Sequence, residues 1–359
     1  MMNILLLSNM YPSKKDGLFG VFVKNFKEKL ESQGANFTNM VVIKGKTSNP
    51  AKKTLRYAYY YTKVIYQGVF SKADFIYVHY LSHNAPLIIM LGTLFKKTIV
   101  VNIHGSDISE FSTNSLVGKL NKKALLACKL IVVPSFYFSE ILKKGYLEKD
   151  FKKVVVYPSG GINLDIFRSI KNETIASKSN LKLVLTSRID SGKGWDVFLR
   201  SISLLIIEGY HVTATIIGQG NKEKEMESLI QELKLQQEVT FLGLLAQNEI
   251  SKIYADQHVF VFPTLLNESL GLVGLEAMAC GLPVIGSNIG APSAYIKEGE
   301  NGFLFEPNNA SALSQKIKAY VALEAEAKIK LQKNAIATAQ EYESNTVTKK
   351  LFNHLKPLC

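Results

Sequence analysis

The chain has 359 residues, 47% of them hydrophobic, with 43 Lys and Arg against 30 Asp and Glu and a formal net charge of +13. That length exceeds what one core usually holds, so two domains are expected. Cys128, Cys280 and Cys359 show no CxxC spacing and cannot all pair, which argues against a disulfide framework and for reduced thiols in a cytosolic protein. The opening MMNILLLSNMYP lacks a basic n-region and is not read as a signal peptide. No stretch reaches about 18 apolar residues, so no membrane-spanning helix is expected.

The charge is uneven. Residues 1–172 carry 25 Lys and Arg against 10 Asp and Glu, a net of +15, and residues 173–359 carry the remaining 18 and 20, a net of −2. The first half should attract something acidic: nucleic acid, an anionic lipid surface or a phosphorylated acceptor. The alternative is a Lys-rich solvated surface without a partner.

In chain order, Asn3–Ser8 reads as a buried strand, Met10–Gly20 as a loop and Val21–Gln33 as a helix closed by Gly34. Asn39–Ile43, Asp74–Tyr80, Thr98–Ile103, Leu130–Val133 and Val154–Tyr157 are strands. Between them, Thr54–Phe70, Ala85–Phe95, Leu116–Cys128 and Phe138–Lys143 are helices. Ser169–Asn180 is polar and aperiodic, the expected interdomain linker. Strands Lys182–Thr186, Val212–Ile217, Val239–Leu242, His258–Phe262, Val284–Ser287 and Phe303–Phe305 follow. They alternate with helices Trp195–Glu208, Lys222–Leu235, Asn248–Ala255 and Leu272–Cys280. Pro292–Lys297 is a further short segment, and two Ala-rich helices run from Ala310 to about Glu341. Thr346–Leu355 is a final helix that would cross back onto the first domain. The expected organisation is a first domain over 1–168, a linker over 169–180, a second domain over 181–341 and a returning helix over 342–359. Alternation of this kind gives α/β domains with parallel sheets covered on both faces, and their ligands bind at the carboxyl ends of the strands.

The post-strand segments carry the chemistry. Arg188 and Lys193 flank SRIDSGKG, between a strand and a helix start, where two cations beside free N–H groups suit a diphosphate. Basic residues in surface turns are also common. Glu268 and Glu276 bracket a glycine turn at Gly271, up to about 12 Å apart if helical, roughly the span of a diphosphate with a sugar at each end. One carboxylate would take ribose hydroxyls and the other those of a transferred sugar, with N–H groups near Gly271 and Leu272 on the phosphates. Two surface glutamates are the plainer reading. Against it, Glu276 lies between Leu275 and Ala277 in an apolar run, where an unpaired charge is costly. His104-Gly105 ends an apolar strand, either as a ligand-facing imidazole or as a satisfied strand cap. No HExxH motif or Cys/His cluster is present, so no metal is expected. No GxxxxGK[ST] or GxSxG occurs, which argues against a P-loop NTPase and a serine hydrolase. The helices Thr54–Phe70, rich in Tyr with Arg56 and Lys63, and Leu116–Cys128, with Lys119, Lys122 and Lys123, suit a membrane interface or an ordinary solvated basic face.

These motifs together resemble glycosyltransferase family 4, the retaining glycosyltransferases of GT-B fold. The resemblance rests on Tyr11-Pro12 with Gly20-Val21-Phe22-Val23, on His104-Gly105, and on Pro158-Ser159-Gly160-Gly161-Ile162-Asn163 with Phe167. It continues through Arg188, Lys193-Gly194, Gly218-Gln219-Gly220, Phe241-Leu242-Gly243, and Glu268 eight positions before the start of Glu276-Ala-Met-Ala-Cys-Gly281. The first loop departs from many members in having Gly17 and Gly20 separated rather than adjacent. The resemblance implies two Rossmann-like domains facing across a cleft and retaining transfer of a sugar from a nucleotide-diphosphate sugar, without a metal cofactor. The acceptor would be a glycan or lipid-linked glycan of the cell-surface polysaccharide type. It assigns Arg188 and Lys193 to the donor diphosphate, Glu276 to the ribose and Glu268 to the transferred sugar. Gly271 and Leu272 would offer N–H groups, Gly218 and Leu242 would line the donor site, Gly20 would lie by the phosphates and His104 by the reacting centre. The expected location is cytoplasmic, with the basic first domain on an anionic inner membrane face. Nucleic acid is not an expected partner, since no recognition module is present. A non-catalytic nucleotide-sugar-binding subunit and a GT-B epimerase or phosphorylase are the alternatives.

Overall fold

The computed structural model describes residues 2–109, 112–147, 153–168 and 175–359. Contacts divide the chain into two units, Met1–Gly161 with Asn345–Cys359, and Ile162–Ser344. Among the described residues no helix is long and apolar enough to cross a membrane.

The first unit holds strands β1 (Met2–Tyr11), β2 (Ala35–Lys44), β3 (Phe75–His79), β4 (Ile99–Asn102), β5 (Leu130–Val133) and β6 (Val154–Val156). They form one parallel sheet in the order β2-β1-β3-β4-β5-β6. Alternate side chains of a strand face opposite sides of its sheet. Accordingly Ile4 and Leu6 of β1 join a core with Val23, Phe26 and Leu30 of helix Val21–Ser32. Leu5 and Leu7 join another with Tyr60 and Val64 of helix Pro50–Phe70. Burial on both faces is why β1 reads as an unbroken apolar run. Val347, Leu351 and Leu355, spaced at one helical face, complete the first of these cores.

The second unit repeats the plan with β7 (Leu181–Thr186), β8 (Val212–Ile217), β9 (Val239–Phe241), β10 (Val259–Phe262), β11 (Val284–Ser287) and β12 (Gly302–Phe305). Its parallel sheet runs β12-β11-β10-β7-β8-β9. Leu183 and Leu185 face a core with helix Trp195–Ile207, and Val184 faces another with helix Leu272–Ala279.

The division between units falls before the linker expected at 169–180. Ile162 and Phe167 are core residues of the second unit, packed with Ala335 and Ala339. Ile162 N–H donates to Tyr342 O and Ser344 N–H to Ile162 O, both at 2.9 Å, so the entering and leaving strands run side by side. Of the expected linker, residues 169–174 lie outside the described residues, while Ala176 is buried in the second unit's core. Two helices also differ from their expected extents. Pro50–Phe70 starts four residues early because the Asn49 side chain caps Lys52 N–H and Pro50 suits a first turn. The expected helix Ala85–Phe95 is Ala85–Ile89 followed by a π turn at Met90–Leu94.

Candidate active site

In the second sheet, whose strands are all parallel, the order of strand addition switches sides between β7 and β10, so the segments after these two strands open a crevice at their carboxyl ends. Those segments carry Arg188 to Lys193 and Thr264 to Gly271. Leu265 N–H donates to Gly192 O at 2.8 Å, tying them together. Gly194 makes the approach possible: a Cβ there would sit 1.8 Å from Pro263 O, and its φ of +73° favours glycine.

Lys193 and Glu268, 75 residues apart in sequence, meet here. Lys193 Nζ lies 2.6 Å from Glu268 Oε1, with the two side chains 12% and 18% exposed. The same Oε1 accepts from Thr264 Oγ1 at 3.0 Å. Thr264 is fully buried and also takes the Leu266 N–H, which sets the loop. Glu268 Oε2 has no hydrogen-bond partner among the described residues. The pair is therefore held, with one carboxylate oxygen left for an incoming hydroxyl.

Helix Leu272–Ala279 starts beside this loop from Gly271, whose φ is +80° and which offers no side-chain cap. Gly194 and Gly20 begin helices Trp195–Ile207 and Val21–Ser32 in the same left-handed conformation, also uncapped. N-caps usually carry a side-chain acceptor for the first-turn N–H groups. A glycine offers no such acceptor, so the first-turn N–H groups not already taken by main-chain carbonyls, as those of Val21, Val23 and Gly274 are, stay open to an anion.

Glu276 stands one turn into helix Leu272–Ala279 and half-buried. Gln247 Nε2 approaches its Oε1 at 3.4 Å, and burial pushes its carboxyl up to about 7. Tyr295, which sequence reasoning missed, interacts with both glutamates. Its Oη donates to Gly271 O at 2.9 Å, and burial, helped by Tyr342 and then by both carboxylates, holds its phenol well above its ordinary value. No local motif marks it, since it reaches the site from 24 residues downstream of Gly271.

Arg188 is not brought to Glu268. Its Nη1 pairs with Asp190 Oδ2 at 2.8 Å, and the side chain is 69% exposed. Asp190 in turn accepts Asn221 N–H through Oδ1 and Trp195 Nε1–H through its carbonyl. Gly218 and Leu242 are brought together at the ends of β8 and β9. Gly218 N–H donates to Gly243 O at 2.8 Å, and Leu242 is 40% exposed there.

In the first unit, His104 follows β4. Its Nε2 lies 3.0 Å from Nδ1 of His79, the last residue of β3. Burial lowers the pKa of His104 to about 3 and that of His79 well below its ordinary value, so both rings are neutral. His79 Nε2 is buried without a partner. A buried N–H without an acceptor is rarer than an unpaired acceptor. The favoured tautomer puts the His79 proton on Nδ1, donating to His104 Nε2 and leaving His104 Nδ1–H as a donor. Asp107 fixes the turn: Oδ1 accepts from His104 and Gly105 N–H and Oδ2 from Leu81 N–H, each at 3.0 Å. Burial still raises its carboxyl to about 6. His79 and Asp107 carried no sequence signal of their own. Among the described residues no three His, Cys, Asp or Glu are grouped to hold a metal ion.

Residues 166–341 match the family of glycosyl transferases group 1. The matched segment lies within the second unit, Ile162–Ser344. The chain is 27% identical over 208 residues to a D-inositol 3-phosphate glycosyltransferase of Streptomyces avermitilis, covering 54% of this chain and 44% of that protein. It spans about half the length of the first curated relatives it matches. Among solved structures, sucrose-phosphate synthase from Thermosynechococcus elongatus aligns with a TM-score of 0.77 at 18% identity, over 100% of this chain and 99% of that one. Anabaena HepE in complex with UDP aligns with a TM-score of 0.74 at 19% identity, over 99% and 100%. These likenesses show the GT-B fold. The segment that matches the family contains Arg188, Lys193, Glu268 and Glu276.

Proposed function

We propose that the chain is a retaining glycosyltransferase acting on a nucleoside diphosphate sugar. The observation that carries this is the Lys193–Glu268 pair at 2.6 Å, set beside the uncapped glycine start of helix Leu272–Ala279. First-turn N–H groups and Lys193 supply positive charge where negative charge would develop on the departing diphosphate as its bond to the sugar breaks. Glu268, with Oε2 free, takes a hydroxyl of the transferred sugar, and Glu276 takes the ribose. Arg188 reaches the diphosphate by exchanging Asp190 for it. The bond from the sugar's anomeric carbon to the diphosphate oxygen breaks with its electron pair on the phosphate. The acceptor hydroxyl bonds to the same face, and its proton goes to the departing phosphate. The chain's cations take the part a metal plays in other transferases. His104 is assigned to the transferred sugar by the family resemblance.

The acceptor in this reading is a glycan or lipid-linked glycan at the cytoplasmic face of a membrane. Supporting the membrane surface, Leu55, Tyr59, Tyr66 and Phe70 are 66% to 72% exposed along one face of helix Pro50–Phe70. Lys63 Nζ lies 5.7 Å from the Tyr59 ring centre. Apolar rings interleaved with ammonium groups match a headgroup layer.

Thermal shifts against a panel of nucleoside diphosphate sugars identify the donor, because a ligand bound to the native state raises Tm by mass action. With that donor, Lys193→Ala should lower kcat by about 10²- to 10³-fold, the loss seen when one charge-stabilising donor is removed. Full activity in a folded Lys193→Ala variant would refute the assignment.

A further inference from the structure

The turn after β3 carries a residue that its backbone conformation disfavours. Tyr80 stands in the left-handed region, with φ +68°. A bulky side chain is an outlier there, and such residues persist only where their surroundings over-determine them. The turn after β4 meets a positive φ with glycine, Gly105 at +104°. A glycine at position 80 would suit the turn better, so it is the ring of Tyr80 that the chain retains against strain.

Buried hydrogen bonds hold this turn. Asn84 is fully buried, and its Nδ2 donates to His79 O at 3.1 Å and to Tyr80 O at 2.8 Å. Its Oδ1 accepts at 2.7 Å from Oη of Tyr60, a buried residue of helix Pro50–Phe70. Tyr80 N–H donates to Asn102 O at 3.0 Å. Leu81 N–H goes to Asp107 Oδ2, and the same carboxylate takes the N–H groups of His104 and Gly105. Ser82 Oγ donates to Asp107 O at 2.7 Å. The turns after β3 and β4 are therefore one hydrogen-bonded unit.

What this unit aims is a ring at His104. The Tyr80 and His104 ring centres are 4.5 Å apart with their planes 31° from parallel. Phe22 lies 4.7 Å from His104 and 6.0 Å from Tyr80, and His79 stacks on His104 at 5.2 Å. Rings of Phe22, His79 and Tyr80 thus surround an imidazole whose Nε2 is already taken by His79.

We propose that Tyr80 is a positioning residue for His104, and that Asn84, braced by Tyr60, holds it in that role. The left-handed φ lays the Tyr80 ring against the imidazole, and the buried amide offsets the strain. The consequence for sugar transfer rests on the assignment of His104 made above; the positioning of the ring does not.

Tyr80→Gly tests this in the full chain, because glycine accepts the φ without strain and Tm should stay near the native value or rise. In ¹H–¹³C spectra of the six histidine rings, the His104 signals, identified by their loss in His104→Ala, should shift and broaden. With the nucleoside diphosphate sugar that most raises the native Tm, kcat should fall about 10- to 100-fold while the donor KM changes little. Tyr80→Phe keeps the ring and should restore both the signals and most of the rate. Asn84→Leu should move the same signals, and its loss of rate should not add to that of Tyr80→Gly, since both act through one turn. Where Asn84→Leu does not fold, Tyr60→Phe, which removes only the bracing hydroxyl, carries this arm. Unmoved His104 signals in Tyr80→Gly overturn the proposal, as does a native kcat in that variant when His104→Ala is impaired; additive losses overturn the part given to Asn84. If His104→Ala transfers sugar like the native chain, the assignment of His104 falls, and the spectra still decide the positioning.

Discussion

Glu276 offers a test that needs no substrate. Its carboxyl sits half-buried on helix Leu272–Ala279, and burial lifts its pKa from 4.5 to about 7. A folded-state pKa above the unfolded one means that the folded chain holds the proton more tightly. Below pH 4.5 the group is protonated in both states and contributes nothing. From pH 4.5 to 7 the native chain progressively loses stability, and above pH 7 the full penalty of a desolvated carboxylate is present. The difference of about 2.5 units corresponds to about 3 kcal/mol as an upper bound. Glu276→Gln keeps the shape and the acceptor oxygen facing Gln247 but removes the titration. The variant should therefore match the native chain near pH 4.5 and exceed it increasingly toward pH 8. At about 2–4 °C per kcal/mol for a domain of this size, the gain at pH 8 should reach several degrees. Differential scanning fluorimetry of the ligand-free chain across pH 4.5 to 8 measures it. A Tm difference independent of pH, or a variant less stable than the native chain at pH 8, would show that the carboxylate is well solvated or paired and would refute the reasoning. A natural protein that retains such a group against stability gives a reason to look for its function.

Gly194→Ala places a methyl 1.8 Å from Pro263 O at φ +73°. It should cost about 2–4 kcal/mol or prevent folding of the second unit, read by urea denaturation; an unchanged midpoint would mean that the turns after β7 and β10 are farther apart. His79→Phe removes the donor to His104 Nε2, so ¹⁵N spectra should show the His104 proton moving from Nδ1 toward a mixture, with transfer falling about tenfold and donor affinity unchanged. A native spectrum with His104 protonated on Nε2 would reverse the tautomer assignment. Replacing Tyr59, Tyr66 and Phe70 together by Ser should abolish co-sedimentation with anionic liposomes while leaving nucleotide binding intact; undiminished sedimentation would place the membrane surface elsewhere.

Much of the architecture was legible before any coordinate. Runs such as Ile4-Leu5-Leu6-Leu7 and Leu183-Val184-Leu185 are apolar without alternation, and only a strand buried on both faces needs that pattern, hence parallel sheets covered twice. The glycines at 20, 194 and 271 stand directly before the expected helices, and the structure holds all three in the left-handed conformation that a missing Cβ permits. Glu276 announced itself as a carboxylate in an apolar run for the same local reason. What no local pattern contained was the choice of partner. The pairing of Lys193 with Glu268 rather than Arg188 with Glu268, the entry of the chain into the second unit at Ile162, and the meeting of His79 with His104 are decided by strand order and register. Contacts between residues 25 to 75 positions apart leave no periodicity in the chain, so they exist only once the sheets have closed their cores.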